Sequence, residues 1–297
     1  VNVSQLRAFV AVVERGSFSE AAHELGISQP AVTMQLQALE STLGATLLDR
    51  RYRRVDLTEA GRALLPHARH VLQQLEAAKD EISALAGSIT GRLTIAASTT
   101  PGVYIVPRLL GTFISRYPEV GVAVSVHDTA EVVDAVESGA AQFGVTGAMV
   151  RGARANFQEI GTDELVLIAP PEHRLASRNA IPLSELCDEA WVTRESGSGT
   201  RQVAERLLAD HGLDAAELRV VVELGTGESI VNAVEGGLGI AVVSRFVAEK
   251  ALQLGTIVTL DAMGMPAERK LYAVLPKGSV TRAALAFHEH LTEALQA

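Results

Sequence analysis

Ser28, Gln29, Pro30, Thr33, Met34 and Gln37 stand at the N-terminal end of one helical segment, with Gln29, Thr33 and Gln37 along its outer face. A Gln amide can make paired hydrogen bonds to an adenine edge, and Thr can meet a base or the thymine methyl, which is the chemistry a DNA major groove asks for. A second cluster follows: Arg50, Arg51, Arg53 and Arg54 surround a turn, with Asp49 the one acid between 49 and 54. Guanidinium groups suit phosphate oxygens and narrow minor grooves. Polar residues on a helix are commonly just solvated, as are arginines in a turn. The arginine run placed directly after such a helix is what favours contact with nucleic acid.

Two further runs could hold a small ligand. Ser98-Thr99-Thr100-Pro101-Gly102 and Glu195-Ser196-Gly197-Ser198-Gly199-Thr200 each follow an apolar strand and open a helix. Hydroxyls and free amides at a helix N-terminus can hold an anion without a buried countercharge. Either run alone would be an ordinary cap and turn. Two of them, at the carboxyl ends of strands in facing units, favour a ligand site.

Catalytic readings find no support. Gly225-Thr226-Gly227 has Ile230 where a dinucleotide fingerprint needs its third Gly, and Ser198 is not in a G-x-S-x-G elbow. Cys187 lies in an apolar-acidic stretch, and His67 and His70 lack a third ligand. No enzyme activity, cofactor or metal is expected.

The elements that must position these groups differ between the front and back of the chain. Leu6, Phe9, Val10 and Val13 form one face of a first helix ending at Gly16, and Ser17-Phe18-Ser19-Glu20 fits a capping box for a short second helix to Leu25. After the Gly26-Ile27-Ser28 turn, a third helix is expected to bury Val32, Leu36, Leu39 and Leu43. Two short helices across such a turn make a helix-turn-helix, and the strands flanking the arginine tip make a wing. Thr58-Glu59 then starts a long helix in which Leu64, Ala68, Val71, Leu75, Ala78, Ile82 and Leu85 alternate four and three, with Pro66 expected to bend it. Nothing else in the front is long enough to cover that seam, so its expected partner is the same helix of another subunit.

Gly87-Ser88-Ile89-Thr90-Gly91 reads as a linker. Beyond it strands and helices alternate in two series, near 93–145 and 165–243, and a last strand and helix after Leu271 return to the first unit. Alternation of this kind indicates parallel α/β layers, and two units joined by two crossings leave a cleft. The fold class expected is α+β multidomain: a winged helix-turn-helix at 1–60, a dimerising linker helix at 58–88, and a two-lobed effector domain at 91–297. Its first lobe is expected at 91–162 and 267–297 and its second at 163–266.

The 297 residues are 47% hydrophobic, enough for two or three cored domains. The longest apolar stretches fall far short of the roughly 18 residues a membrane span requires. A lone cysteine and the lack of a basic-then-apolar leader after Val1 give a cytoplasmic expectation. A net charge of −9 argues against nucleic acid at first sight. By segment the meaning changes: residues 1–60 hold six Arg, no Lys and seven acids, while residues 61–297 hold 20 basic and 28 acidic residues. Most of the acidity therefore lies outside the candidate DNA-reading unit, whose positive charge is concentrated in the wing.

The sequence closely resembles the LysR-type transcriptional regulators. The resemblance rests on Gln5-Leu6-Arg7-Ala8-Phe9, Gly16-Ser17-Phe18-Ser19-Glu20-Ala21-Ala22, Leu25-Gly26-Ile27-Ser28-Gln29-Pro30-Ala31-Val32-Thr33, Leu39-Glu40, Leu43-Gly44 and Leu57-Thr58-Glu59-Ala60-Gly61. It extends over the whole chain, whose back resembles the family's periplasmic-binding-protein-like effector domain. Gly91-Arg92-Leu93, Ser98-Thr99-Thr100, Pro107-Arg108-Leu109-Leu110, Asp163-Glu164-Leu165-Val166-Leu167 and Gly197-Ser198-Gly199-Thr200-Arg201 are similar to the branch regulating sulfur-oxyanion assimilation and carbon-fixation operons. That resemblance implies double-stranded DNA as a partner, a small anionic effector, and a homodimer or homotetramer without membrane attachment. Thr146, Gly147 and Thr226 join the two hydroxyl-rich runs as candidate effector contacts. The chain departs from the family's pattern at Leu48, Gln142 and Ser196, and has Thr146-Gly147 where some of the branch carry Glu. A cytoplasmic ligand sensor without DNA activity is the rival reading; it leaves the helical front and its seam unexplained. An enzyme using the same cleft is a second, and lacks a nucleophile or base.

Overall fold

The computed structural model describes residues 1–49, 55–84, 89–212 and 214–296. The chain divides into two compact units, Val1–Ile89 with Glu137–Ala140 and Gly278–Arg282, and Thr90–Val136 with Ala141–Lys277 and Ala283–Ala297.

The first unit opens with α1 (Val3–Arg15), α2 (Phe18–Leu25) and α3 (Gln29–Leu43), followed by β1 (Leu48–Asp49), β2 (Asp56–Leu57) and α4 (Glu59–Ala84). Local chemistry sets the helix boundaries. Ser17 caps α2 by accepting from the Glu20 N–H, and Ser28 caps α3 by accepting from the Ala31 N–H at 3.3 Å, with Pro30 in the first turn. Gly26 ends α2 at φ 66°, the left-handed geometry that lets α3 start three residues later. The three helices bury Leu6, Phe9 and Val12 against Ala21, Ala22, Val32, Leu36 and Leu39, and Leu47 and Leu48 close the base of this core. Each large side chain so buried contributes roughly 1.5–3 kcal/mol. Leu43, expected in this core, is instead 42% exposed, because it closes the last turn of α3 just before the chain reverses at Gly44.

β1 and β2 pair antiparallel, Leu48 opposite Leu57, and frame the tip; Arg50, Arg51, Arg53 and Arg54 lie outside the described residues. The seam of α4 is divided in its use. Leu64 and Ala68 pack into the unit's own core, whereas Val71 is 47% and Ile82 70% exposed, and Leu85 lies outside the described residues. No described helix is long and apolar enough to cross a membrane.

The second unit contains β3 (Gly91–Ser98), α5 (Val106–Arg116), β4 (Val120–His127), α6 (Thr129–Glu137), β5 (Phe143–Thr146) and β6 (Asn156–Ala169). It continues with β7 (Ala190–Arg194), α7 (Gly199–Asp210), β8 (Arg219–Leu224), α8 (Gly227–Glu235), β9 (Ala241–Ser244) and α9 (Arg245–Leu254). β10 (Val258–Thr259), β11 (Ala267–Leu275) and α10 (Arg282–Gln296) complete the chain. The main sheet runs β10-β6-β11-β5-β3-β4, with β9 also on β6. The expected parallel pairing holds for β3 with β4 and β5, and for β7 with β8. It fails for β6 and β11, which are antiparallel to each other over nine register pairs. The reason is topological: β6 takes the chain from the first lobe into the second and β11 brings it back, so the two crossings run in opposite directions. Each lobe has its own apolar core, Ala96, Val132, Val136 and Val274 in one, Val166, Ile168, Val192, Ile230 and Val243 in the other.

Candidate functional site

The outer start of α3 presents the side chains singled out by spacing, in two states. Gln29 and Thr33 are engaged locally: the Gln29 side-chain oxygen accepts from the Ser19 hydroxyl at 3.2 Å, and the Thr33 hydroxyl donates to the Gln29 carbonyl at 3.1 Å. Pro30 and Gln37 are exposed and Met34 is 68% exposed. Ser28 is occupied in capping the helix. The outer face thus offers the exposed Gln37 amide beside the exposed Met34.

The second site lies between the lobes of the second unit. β3 ends at Ser98, the chain becomes helical at Thr99, and the turn widens over Pro101–Ile105, where the Val106 N–H reaches back five residues to the Pro101 carbonyl. Such wide turns recur at functional sites. Gly102 lets this helix start press onto the strands, since a Cβ there would lie 2.9 Å from Val126 Cγ2 and 3.1 Å from Ala97 Cβ. From the other lobe, β7 ends at Arg194, and Ser198 stands at the start of α7 without its hydroxyl capping the helix. At neither start does the N-cap side chain take up the first amides, and residues of both starts line one cleft.

Ser98, Thr99, Thr100, Gly147, Glu195, Gly197, Ser198, Gly199 and Thr200 line one cleft of about 300 Å³, its open mouth included. The space they enclose is small, so a ligand held there must be compact. Three candidates stand apart from that lining. Thr146 is wholly buried, its hydroxyl donating to the Ala148 carbonyl; Ser196 is exposed; and Thr226 caps α8 by accepting from the Ser229 N–H at 3.1 Å.

Sequence reasoning named Glu195 but missed the cleft's other charges. Asp128, Thr129, Arg194 and Arg269 complete the lining, and both arginines are buried, at 6% and 4% exposure. The register of β11 on β6 sets Arg269 directly opposite Asp163, and the two form an ion pair inside the unit. The Arg269 Nη1–H also donates to Thr200 Oγ1 at 2.8 Å, and the Ser244 hydroxyl donates to Asp163 at 2.8 Å. One donor is left over: Arg269 Nε is buried without a hydrogen-bond partner. Gly147 lies over this guanidinium, and a Cβ there would approach its atoms to 3.0–3.1 Å. Arg194 is held differently, by a two-pronged pair with Glu195 at 2.7 Å for each bond and by a longer bond to the Gly225 carbonyl. A period-2 signal could have found Arg269, since Arg269, Leu271 and Ala273 share the inward face of β11 while Glu268 and Lys270 point out.

Among the described residues no group of three or more His, Cys, Asp or Glu could hold a metal ion. The arrangement instead suits an anion: two guanidiniums, two helix N-termini and a row of hydroxyls converge on one small volume.

Comparison with known proteins gives two family matches. Residues 3–62 match the bacterial regulatory helix-turn-helix proteins of the lysR family, and residues 86–296 match the LysR substrate binding domain. A curated relative, the RuBisCO operon transcriptional regulator of Allochromatium vinosum, is 37% identical over 290 residues, covering 97% of this chain and 95% of the relative. Among solved structures, the regulatory domain of CcmR from Synechocystis PCC6803 in complex with 2-PG is 31% identical, with a TM-score of 0.64 over 70% of this chain and 98% of that one. Full-length CbnR complexed with its target DNA is 25% identical, with a TM-score of 0.67 over 99% and 100% of the two chains.

Proposed function

The chain belongs to the LysR family, as a DNA-binding transcriptional regulator with an effector-binding domain, and we propose that its effector is a small anion clamped between Arg194 and Arg269. The observation that carries this reading is the pair of buried guanidiniums in a cleft already lined by helix N-termini, one of them with an unpaired Nε–H. Desolvating a donor without a partner costs about 1–3 kcal/mol, which a bound anionic oxygen would offset. CcmR, whose regulatory domain was solved with 2-PG, supplies a candidate of the right class: 2-phosphoglycolate, a compact phosphorylated acid. The curated relative regulates a RuBisCO operon, which favours the carbon-fixation branch over the sulfur-oxyanion one and makes a carbon-fixation operon the proposed target.

In this reading residues 1–60 form the winged helix-turn-helix, 58–88 the linker helix and 91–297 the effector domain, with lobes at 91–162 plus 267–297 and at 163–266. The exposed part of the α4 seam, with Val71 and Ile82, supports assembly into a homodimer or homotetramer through that helix and the effector domains. A DNA partner supports a cytoplasmic location, and the family and the relative's name support a regulator and not a catalyst.

The effector site is tested by calorimetry with 2-phosphoglycolate on the wild type and Arg194→Met. Removing a charge-assisted, two-pronged donor costs roughly 1.5–3 kcal/mol, so the variant should bind on the order of tenfold to a hundredfold more weakly. Equal affinity would remove Arg194 from the site.

On the DNA side, Gln37→Ala should weaken operator binding in a gel-shift titration by about 1–3 kcal/mol and relax base preference at one position of each half-site. A loss that is uniform across operator sequences would instead assign Gln37 to backbone contact.

A further inference from the structure

The two arginines of the cleft are neutralised in ways that differ in one decisive respect. Asp163, the partner of Arg269, has a side chain with no exposed surface and is also held by Ser244. Withdrawing it would strand a charge in the interior, so this pair is permanent. Glu195, the partner of Arg194, is a third exposed, lines the cleft and can turn its carboxylate into water by side-chain rotation alone. Its backbone stays fixed through such a rotation, because its N–H donates to the Leu224 carbonyl and its own carbonyl accepts from the Ser198 N–H, both at 3.2 Å. Arg194 also stays in place without it: the Arg194 carbonyl accepts from Arg201 at 3.0 Å, and its Nη2 keeps the bond to the Gly225 carbonyl.

The shape of the pair matters as much. Glu195 occupies Nε and Nη2 of Arg194 with one oxygen each, the fork geometry in which a ligand carboxylate or phosphate meets a guanidinium. An anion arriving on Arg194 would meet the Glu195 carboxylate on the same guanidinium, and two anions on one guanidinium repel.

Resting on the anion-binding reading above, we propose that Glu195 is an internal competitor for the effector: its carboxylate holds the anion seat on Arg194 in the empty cleft, and the bound anion displaces it. Effector affinity is then set by an exchange of one anion for another on Arg194. Neutral ligands, which cannot replace the charge of Glu195 there, are rejected.

Calorimetry with inorganic phosphate on the wild type, Glu195→Gln, Glu195→Ala and the Glu195→Gln/Arg194→Met double variant tests this. Both single variants should bind phosphate on the order of tenfold more tightly than the wild type, and the double variant should lose that gain. Unchanged or weaker binding by both single variants, with the Arg194→Met single variant, titrated with phosphate alongside them, still binding more weakly than the wild type, would overturn the competitor role and leave the anion site standing. Phosphate binding by none of the proteins, or a gain that survives in the double variant, would overturn both.

Discussion

Gly61→Ala is expected to destabilise the first unit by about 3 kcal/mol or more and to abolish operator binding at temperatures where the wild type is folded. Helix propensity alone predicts the opposite sign, since Gly in a helix interior is about 1 kcal/mol worse than Ala. The structure reverses the expectation. A Cβ on Gly61 would lie 2.1 Å from the Leu47 carbonyl oxygen and 2.8 Å from Leu57 Cδ2. The first of these is backbone, and it is pinned from several sides. The Leu47 carbonyl accepts from the Thr58 N–H at 3.0 Å, the Leu47 N–H donates to Glu40 at 2.8 Å, and the Thr58 hydroxyl donates to the Thr46 carbonyl at 2.7 Å while accepting from the Gly61 N–H at 3.0 Å. Relieving the clash means moving the start of α4 away from that strand, which breaks the cap and opens the core at Leu47 and Leu48 together. For a unit of this size a loss of 3 kcal/mol lowers the melting temperature by about 12–24 °C. Scanning calorimetry measures it, with phosphate binding by the effector domain as the control for the rest of the chain. A melting temperature equal to or above that of the wild type would refute the steric account.

What was legible in the sequence follows from how far each feature reaches. Ser28, Pro30 and Gly26 announce the α2-α3 turn because capping depends on neighbours within four residues. The two hydroxyl and glycine runs announced the cleft for the same reason, as each is one strand-to-helix junction. Gly61 was visible within the Leu57-Thr58-Glu59-Ala60-Gly61 run, but its steric role depends on Leu47, fourteen positions earlier. The heptad seam of α4 was legible as spacing, yet spacing cannot say which chain covers it: Leu64 and Ala68 serve the unit's own core and only the later positions stay open. β6 escaped notice in its first half because the register shifts between Leu271 and Tyr272, so that Ile160 has no partner in the pairing and the inward row passes from Ile160 to Asp163. That bulge breaks the two-residue period, and the next inward residue is a charge. The pairing of Arg269 with Asp163 spans 106 positions, which no local pattern encodes.

Arg269→Met should therefore do two separable things. It leaves the Asp163 carboxylate, wholly buried, with Ser244 as its remaining partner, a situation that costs about 3–5 kcal/mol. It also removes one of the two guanidiniums of the proposed effector site. Asp163→Leu alone strands the guanidinium instead and should cost a similar amount. The double variant removes both charges at once, and buried ion pairs replaced by apolar residues of similar size are often neutral or stabilising. A double-mutant cycle by chemical denaturation should then show strong coupling, with the double variant more stable than either single one. Anion binding should behave otherwise and remain lost in the double variant, because stability is restored without restoring the donor. Recovery of binding along with stability would mean that Arg269 serves only to hold β11 on β6, leaving Arg194 as the cleft's single anchor. The distinction bears on how the regulator senses its ligand. β11 and β6 are the two strands that cross between the lobes, so an anion on Arg269 touches the crossing itself and can favour one arrangement of the lobes over another through differential affinity.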